Sequence, residues 1–290
     1  MRERTWTIDG EAGAKLHARS WAPESDAHSI AVIAHGLAEH CGRYAELVGH
    51  LVGVGYAVYA LDHRGHGKSS GGRANIDRFE HVLADLDRVF AQARADWPGR
   101  PATLIGHSMG GAIAFAYGVR HQAALHALVL SAPLLGTDPK VSKAQEVAAR
   151  LLSRVAPGLG ALRLPADTIS RDPAVVAAYR SDPLVHTGSI PARTLVELVD
   201  AVASFPALAP QLRLPVLVLH GTGDTLVPLA YTTPVVERIG SPDRTVRHYE
   251  GLYHEVFNEP ERERVFADVL AWLAARRTTR GVPGEAVPAA

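Results

Sequence analysis

Ala102-Thr103-Leu104-Ile105-Gly106-His107-Ser108-Met109-Gly110-Gly111-Ala112-Ile113-Ala114-Phe115-Ala116-Tyr117 reads as a short apolar run, a glycine-flanked serine and a helix-forming stretch. A serine on a sharp strand-to-helix turn needs neighbours with almost no side chain two positions to either side, and Gly106 and Gly110 supply them. This is the pattern of a nucleophile elbow, and it makes Ser108 the candidate nucleophile. The bare five-residue pattern arises by chance in roughly one chain in ten of this length, so its surroundings must carry the reading.

Outward from the elbow, short runs rich in Val, Ile and Leu alternate with helical periodicities, the signature of a mostly parallel central sheet with helices on both faces. Strands are predicted at 30–34, 56–61, 103–107, 127–131, 216–220 and 245–249, with an antiparallel edge pair at 5–8 and 15–21. Helices fit 44–53, 79–97, 109–119, 231–239 and 260–275. Between Pro133 and Pro210 the rhythm breaks: strand-like runs are missing, Val147, Leu151, Leu152 and Val155 fall at helical spacing, and prolines punctuate short pieces. The expected organisation is an α/β core of 1–133 and 211–277, an inserted helical cap of 134–210, and a disordered tail of 278–290 rich in Gly, Pro and small residues.

The bulk properties exclude several classes. The 290 residues carry thirty basic and thirty acidic side chains, which cancel, and no basic stripe with interleaved aromatics is present, so a nucleic-acid partner is not expected. Cys41 is the only cysteine, which leaves neither an internal disulfide nor a cysteine-based zinc site. The N-terminal Met1-Arg2-Glu3-Arg4-Thr5-Trp6 has no apolar core of a secretory signal, and no window approaches 18 consecutive apolar residues. A cytoplasmic protein, at most peripheral to a membrane, is the expectation.

A lone serine is a weak nucleophile, so a histidine must take its proton and a carboxylate must hold that histidine in the right tautomer. In the strand-turn-helix setting of such an elbow, the acid and then the histidine follow in loops after late strands. Val216 to His220 runs into Gly221-Thr222-Gly223-Asp224, and the next strand runs into Glu250-Gly251-Leu252-Tyr253-His254, so Asp224 and His254 stand in the expected order. His248 competes but lies within a strand. Two backbone donors must meet the oxyanion: the amide of Met109, after the nucleophile, and that of Leu37, which the tight turn at Gly36 in His35-Gly36-Leu37-Ala38-Glu39-His40 would aim at the same point. Other motifs fail on detail. Asp62 stands where a P-loop ahead of Gly67-Lys68-Ser69 needs glycine, Gly53-Val54-Gly55 precedes its strand, and His63-Arg64-Gly65-His66 lacks metal-ligand spacing.

Several long motifs then agree with one family. The segments 35–44 (HGLAEHCGRY), 62–69 (DHRGHGKS) and 106–111 (GHSMGG), with Ser181-Asp182-Pro183-Leu184 and Gly251-Leu252-Tyr253-His254-Glu255, resemble the monoacylglycerol lipase branch of the serine α/β-hydrolases, bacterial members above all. The resemblance covers nearly the whole chain. It implies Ser108 as nucleophile, His254 as base, Asp224 as its orienting acid and the Leu37 and Met109 amides as the oxyanion hole. It also places Glu39 and Arg43, four apart and spaced for an ion pair, near the glycerol moiety with Tyr179; a pair that only orders the loop is the other reading. Val147, Leu151 and Leu184 of the cap are expected to line the acyl groove. The implied reaction is hydrolysis of a monoacylglycerol through an acyl-enzyme without cofactor or metal; separately, the apolar content of the cap suggests it as a point of peripheral membrane contact. Alternatives are a broader carboxylesterase or lysophospholipase with the same triad, transfer of the acyl group to another alcohol, and a noncatalytic ligand sensor.

Overall fold

The computed structural model describes residues 1–137 and 143–277, so the expected disordered tail at 278–290 lies outside the described residues. The strands are β1 (Arg2–Asp9), β2 (Lys15–Ala22), β3 (Ser29–Ala34), β4 (Tyr56–Leu61), β5 (Ala102–His107), β6 (Ala127–Ser131), β7 (Gly160–Arg163), β8 (Ser189–Pro191), β9 (Val216–Gly221) and β10 (Arg244–Tyr249). The helices are α1 (Ala45–Gly53), α2 (Phe79–Asp96), α3 (Met109–Arg120), α4 (Lys143–Val155), α5 (Pro173–Ser181), α6 (Ala192–Ala203), α7 (Phe205–Leu208), α8 (Leu229–Val236) and α9 (Arg262–Arg277). One eight-stranded sheet runs β1-β2-β4-β3-β5-β6-β9-β10. It is parallel except for β1 with β2 and β2 with β4, as the alternating edge pair predicts.

The uninterrupted apolar strands follow from two covered faces. In β3, Ile30, Val32 and Ala34 enter one core beneath α2, α3, α6, α7 and α8, while Ala31 and Ile33 enter the other beneath α1 and α9. The same alternation places Val216 and Val218 of β9 in the first core and Leu217 and Leu219 in the second. Strand order reverses between β3 and β5, so the loops after these two strands flank a crevice at the sheet's carboxyl edge. The elbow and the His35–His40 segment emerge there.

Two expectations need correction. The stretch after β6 is not free of strands: β7 and β8 pair antiparallel as a small separate sheet. Both segments are too short to show strand periodicity, and all four β7 residues are on the surface as well. The helix expected at 231–239 begins earlier, at Leu229, directly after Pro228, and ends at Val236, beyond which Arg238 and Ile239 make only three-residue turns back to Val235 and Val236. Among the described residues no helix is long and apolar enough to cross a membrane.

A tight packing constraint lies where α3 leaves β5. A methyl on Gly110 would meet the Ala34 carbonyl oxygen at 2.0 Å, and one on Gly106 would meet the Gly110 carbonyl oxygen at 2.2 Å. Gly110→Ala is therefore expected to cost about 3 kcal/mol or more. Gly49, exposed in α1 with open space where a methyl would go, gives the opposite sign: Gly49→Ala is expected to stabilise by about 1 kcal/mol. Urea unfolding of both variants checks the pair.

Candidate active site

Ser108 sits at the elbow with φ +54° and ψ −117°, a conformation that L residues rarely adopt and that surrounding bonds must hold. Its amide donates to the Ser131 carbonyl at 3.0 Å, and its own carbonyl accepts from Ala112 at 3.1 Å and Leu134 at 3.0 Å. The side chain is left on the wall of a cavity of about 280 Å³ at the carboxyl edge of the sheet.

Asp224 lies in the turn after β9, buried to 5 % exposure, with both oxygens engaged. Oδ1 accepts the Leu226 and Val227 amides, each at 2.9 Å, and Oδ2 accepts from His254 Nδ1 at 2.7 Å. A second imidazole, His220, also reaches Oδ2, its Nε2 lying 3.1 Å away and 2.8 Å from the Val227 carbonyl. Because a carboxylate can only accept, Nδ1 of His254 carries the proton and Nε2 keeps its lone pair for the cavity. Burial would raise the Asp224 carboxyl, but His254, His220 and the Val227 amide outweigh it and hold it well below the usual carboxylate range. Burial would lower His254, yet the Asp224 charge prevails, with Glu255 and Glu39 adding to it, and its pKa lies above 6.5.

Ser108 and His254 line the same cavity, with Asp224 behind the imidazole. The Ser108 hydroxyl makes no hydrogen bond to His254 among the described residues, the loose nucleophile-to-base geometry common before substrate tightens it. The His107 ring packs against His254 with centroids 4.8 Å apart, and burial first, then the positive charge of His254, push it down to about 3, so it stays neutral.

Leu37 and Met109 both line the cavity. Met109 opens α3, where the first amides have no partner within the helix. On the other side, His35 Nδ1 donates to the Gly36 carbonyl at 2.7 Å while its Nε2 accepts the His63 amide at 2.8 Å, which holds the plane of the peptide that presents the Leu37 amide. Gly36 is fixed again from its amide, which donates to Glu39 Oε1 at 2.5 Å.

Glu39 and Arg43 do form an ion pair, at 2.7 Å, but it is part of a larger unit. Arg43 also binds both oxygens of Glu255, at 2.5 and 2.7 Å, its guanidinium lies 4.8 Å from the centre of the Tyr179 ring, and Tyr44 donates to Glu39 at 2.6 Å. Burial would raise Glu39, but Arg43 foremost brings it down from 4.5 to about 2. Glu39, Glu255 and Tyr179 face the cavity, with Arg43 behind them. The segment Gly251–Glu255 by itself suggests no role for Glu255; only the fold, bringing it 212 positions back to Arg43, supplies one.

The acyl-groove expectation is overturned in part. Val147 and Leu151 are 65 % and 62 % exposed and do not line the cavity, because the apolar stripe of α4 that includes Val155 faces outward. Leu184 also lies off the cavity, in a turn capped by its own amide bond to Asp182. The apolar wall comes instead from Leu162, Leu164 and Ile169 and from Leu195, Leu198 and Val199 of α6. Those α6 positions sit at helical spacing in Ala192-Arg193-Thr194-Leu195-Val196-Glu197-Leu198-Val199, a signal legible in the sequence.

Comparison with known proteins shows the family. The family model for serine aminopeptidase S33 matches residues 25–261. The chain is 42% identical over 266 residues to a monoacylglycerol lipase of Mycolicibacterium smegmatis, covering 92% of this chain and 95% of that one. It is 34% identical over 244 residues to the phospholipase YtpA of Bacillus subtilis, covering 82% and 92%. The crystal structure of Paleococcus ferrophilus monoacylglycerol lipase superposes with a TM-score of 0.81 at 31% identity, covering 90% of this chain and 99% of that one. The chain thus belongs to the serine aminopeptidase S33 family, within the monoacylglycerol lipase branch of the α/β-hydrolases.

Proposed function

We propose that this chain, a carboxylic ester hydrolase, cleaves monoacylglycerols to fatty acid and glycerol with Ser108 as nucleophile, His254 as general base and acid, and Asp224 as the residue that orients it. The observation that carries the reading is the Asp224-held imidazole sharing an apolar cavity with a serine on a strained elbow. The Ser108 oxygen attacks the ester carbonyl as His254 Nε2 takes its proton, and the oxyanion lies against the Leu37 and Met109 amides. Collapse expels the glycerol oxygen with that proton and leaves an acyl ester on Ser108. Water, deprotonated by the same nitrogen, then releases the fatty acid. The acyl chain takes the apolar wall of α6 and 162–169, each buried methylene contributing about 0.8 kcal/mol, and the glycerol takes the end bearing Glu39, Tyr179 and Glu255.

Residues 134–210 serve as the cap in this reading, since they supply that wall. The cap also gives the surface for peripheral membrane contact. Val147, Leu151, Val155 and Leu159, each 53 % exposed or more, present apolar side chains that the acyl cavity does not use.

Ser108→Ala is expected to lower turnover on the order of 10⁴ to 10⁶-fold while the protein stays folded, with loss of fluorophosphonate labelling; near-normal hydrolysis by a folded variant refutes the assignment. Because His254 must be neutral to act and its pKa is raised, kcat/KM should fall with acid through a midpoint above pH 6.5. Asp224→Asn leaves burial as the dominant influence, so that midpoint should move down while kcat drops about 10⁴-fold. Finally, Val147→Asp with Leu151→Asp should abolish co-sedimentation with liposomes yet spare hydrolysis of a short water-soluble ester; binding that survives the double change removes α4 from the contact.

A further inference from the structure

The polar end of the cavity carries a charge imbalance, and we propose that it makes the enzyme reject a phosphate on the head group, so that esters of an uncharged polyol are cleaved and the matching anionic lysophospholipids are not. The inference rests on the monoacylglycerol reading above and narrows it. Two carboxylates, Glu39 and Glu255, share the single guanidinium of Arg43, which leaves one net negative charge. Their side chains are 4 % and 6 % exposed, so water and salt screen that charge weakly. Both carboxylates line the cavity, whereas Arg43 sits behind them under the Tyr179 ring, and no Lys or Arg is among the described lining residues.

The charge lies close to the reacting atoms. A methyl built on Gly36 would be 2.8 Å from Glu39 Oε1 and 3.4 Å from the Ser108 Cβ, and Glu255 directly follows His254 in the chain. The field of both carboxylates reaches His254, where it adds to that of Asp224 in favouring the imidazolium. A glycerol hydroxyl can donate a hydrogen bond to a carboxylate. A phosphate monoester, with a charge of about −1.5 to −2 at neutral pH, is repelled by it. Sites that welcome phosphate supply guanidinium, ammonium or free helix amides; here the α3 amides face the oxyanion and the one nearby guanidinium is saturated by carboxylates. The family includes a chain named as a phospholipase, so the fold does not decide the head group and local residues must.

The test compares kcat/KM of the full chain on three hexanoyl esters that differ only at the distal glycerol oxygen: free hydroxyl, methyl ether and phosphate. At pH 8 the phosphate ester should be cleaved about 100-fold or more less efficiently than the hydroxyl ester, and the methyl ether within about 10-fold of it. The hydroxyl-to-phosphate ratio should widen from pH 5 to pH 8 through the second phosphate ionisation near about 6; protonation of His254 cancels in that ratio, and this measurement needs no variant. A folded Glu255→Gln, which removes the net charge, should narrow the ratio about 10-fold. Similar efficiencies on hydroxyl and phosphate, a ratio flat with pH, an unchanged ratio in folded Glu255→Gln, or a methyl ether rejected as strongly as the phosphate each overturn the proposal. An enzyme labelled at Ser108 by a fluorophosphonate that cleaves none of the three sinks the monoacylglycerol reading itself, a distinguishable failure.

Discussion

Everything at the catalytic edge depends on how closely α3 can lie against β3 and β5. The Gly110 backbone leaves only 2.0 Å between a would-be methyl and the Ala34 carbonyl, so contact here is backbone on backbone. That contact aims the N-terminus of α3 across the crevice at the loop following β3, and it forces Ser108 into its rare conformation between the two. Strain at one residue is tolerated because the flanking strands, buried on both faces, overdetermine the turn. The nucleophile candidate and the two candidate oxyanion amides thereby derive from the same packing event.

Around that edge the protein buries an unusual density of charge, each part compensated differently. Asp224 is satisfied by four donors, two of them backbone amides, so its ionised form is favoured despite burial. Glu39 serves two ends at once: its Oε1 ties down the Gly36 amide that shapes the oxyanion loop, while its Oε2 joins Arg43 and, through it, Glu255. The two readings of the Glu39 and Arg43 spacing, head-group contact and loop order, are therefore not exclusive. One carboxylate supports the loop and also contributes to the field in the cavity.

The segment after β6 behaves as two layers. Leu198 and Val202 of α6, with Phe205 of α7, pack into the main core, and α6 turns Leu195 and Val199 toward the cavity. By contrast, α4 shows Val147, Leu151 and Val155 to the outside. The inner layer supplies the apolar wall of the cavity, and the outer layer carries an apolar skin.

Sequence alone determined what local chemistry governs. The central strands β3, β4, β5, β6 and β9 were legible because a strand buried on both faces must be nearly continuously apolar, the edge pair β1 and β2 because one covered face leaves an alternation, and the elbow, Asp224 and His254 because chain order and turn glycines restrict where such side chains can stand. Tertiary structure decided what depends on partners distant in the chain: that Glu255 shares Arg43 with Glu39, that His220 joins Asp224, and that α4 turns its apolar stripe away from the cavity while α6 faces it. Helical spacing announces that a helix has an apolar face, but it does not say which neighbour that face will meet, since burial and exposure are settled only when the whole chain has packed.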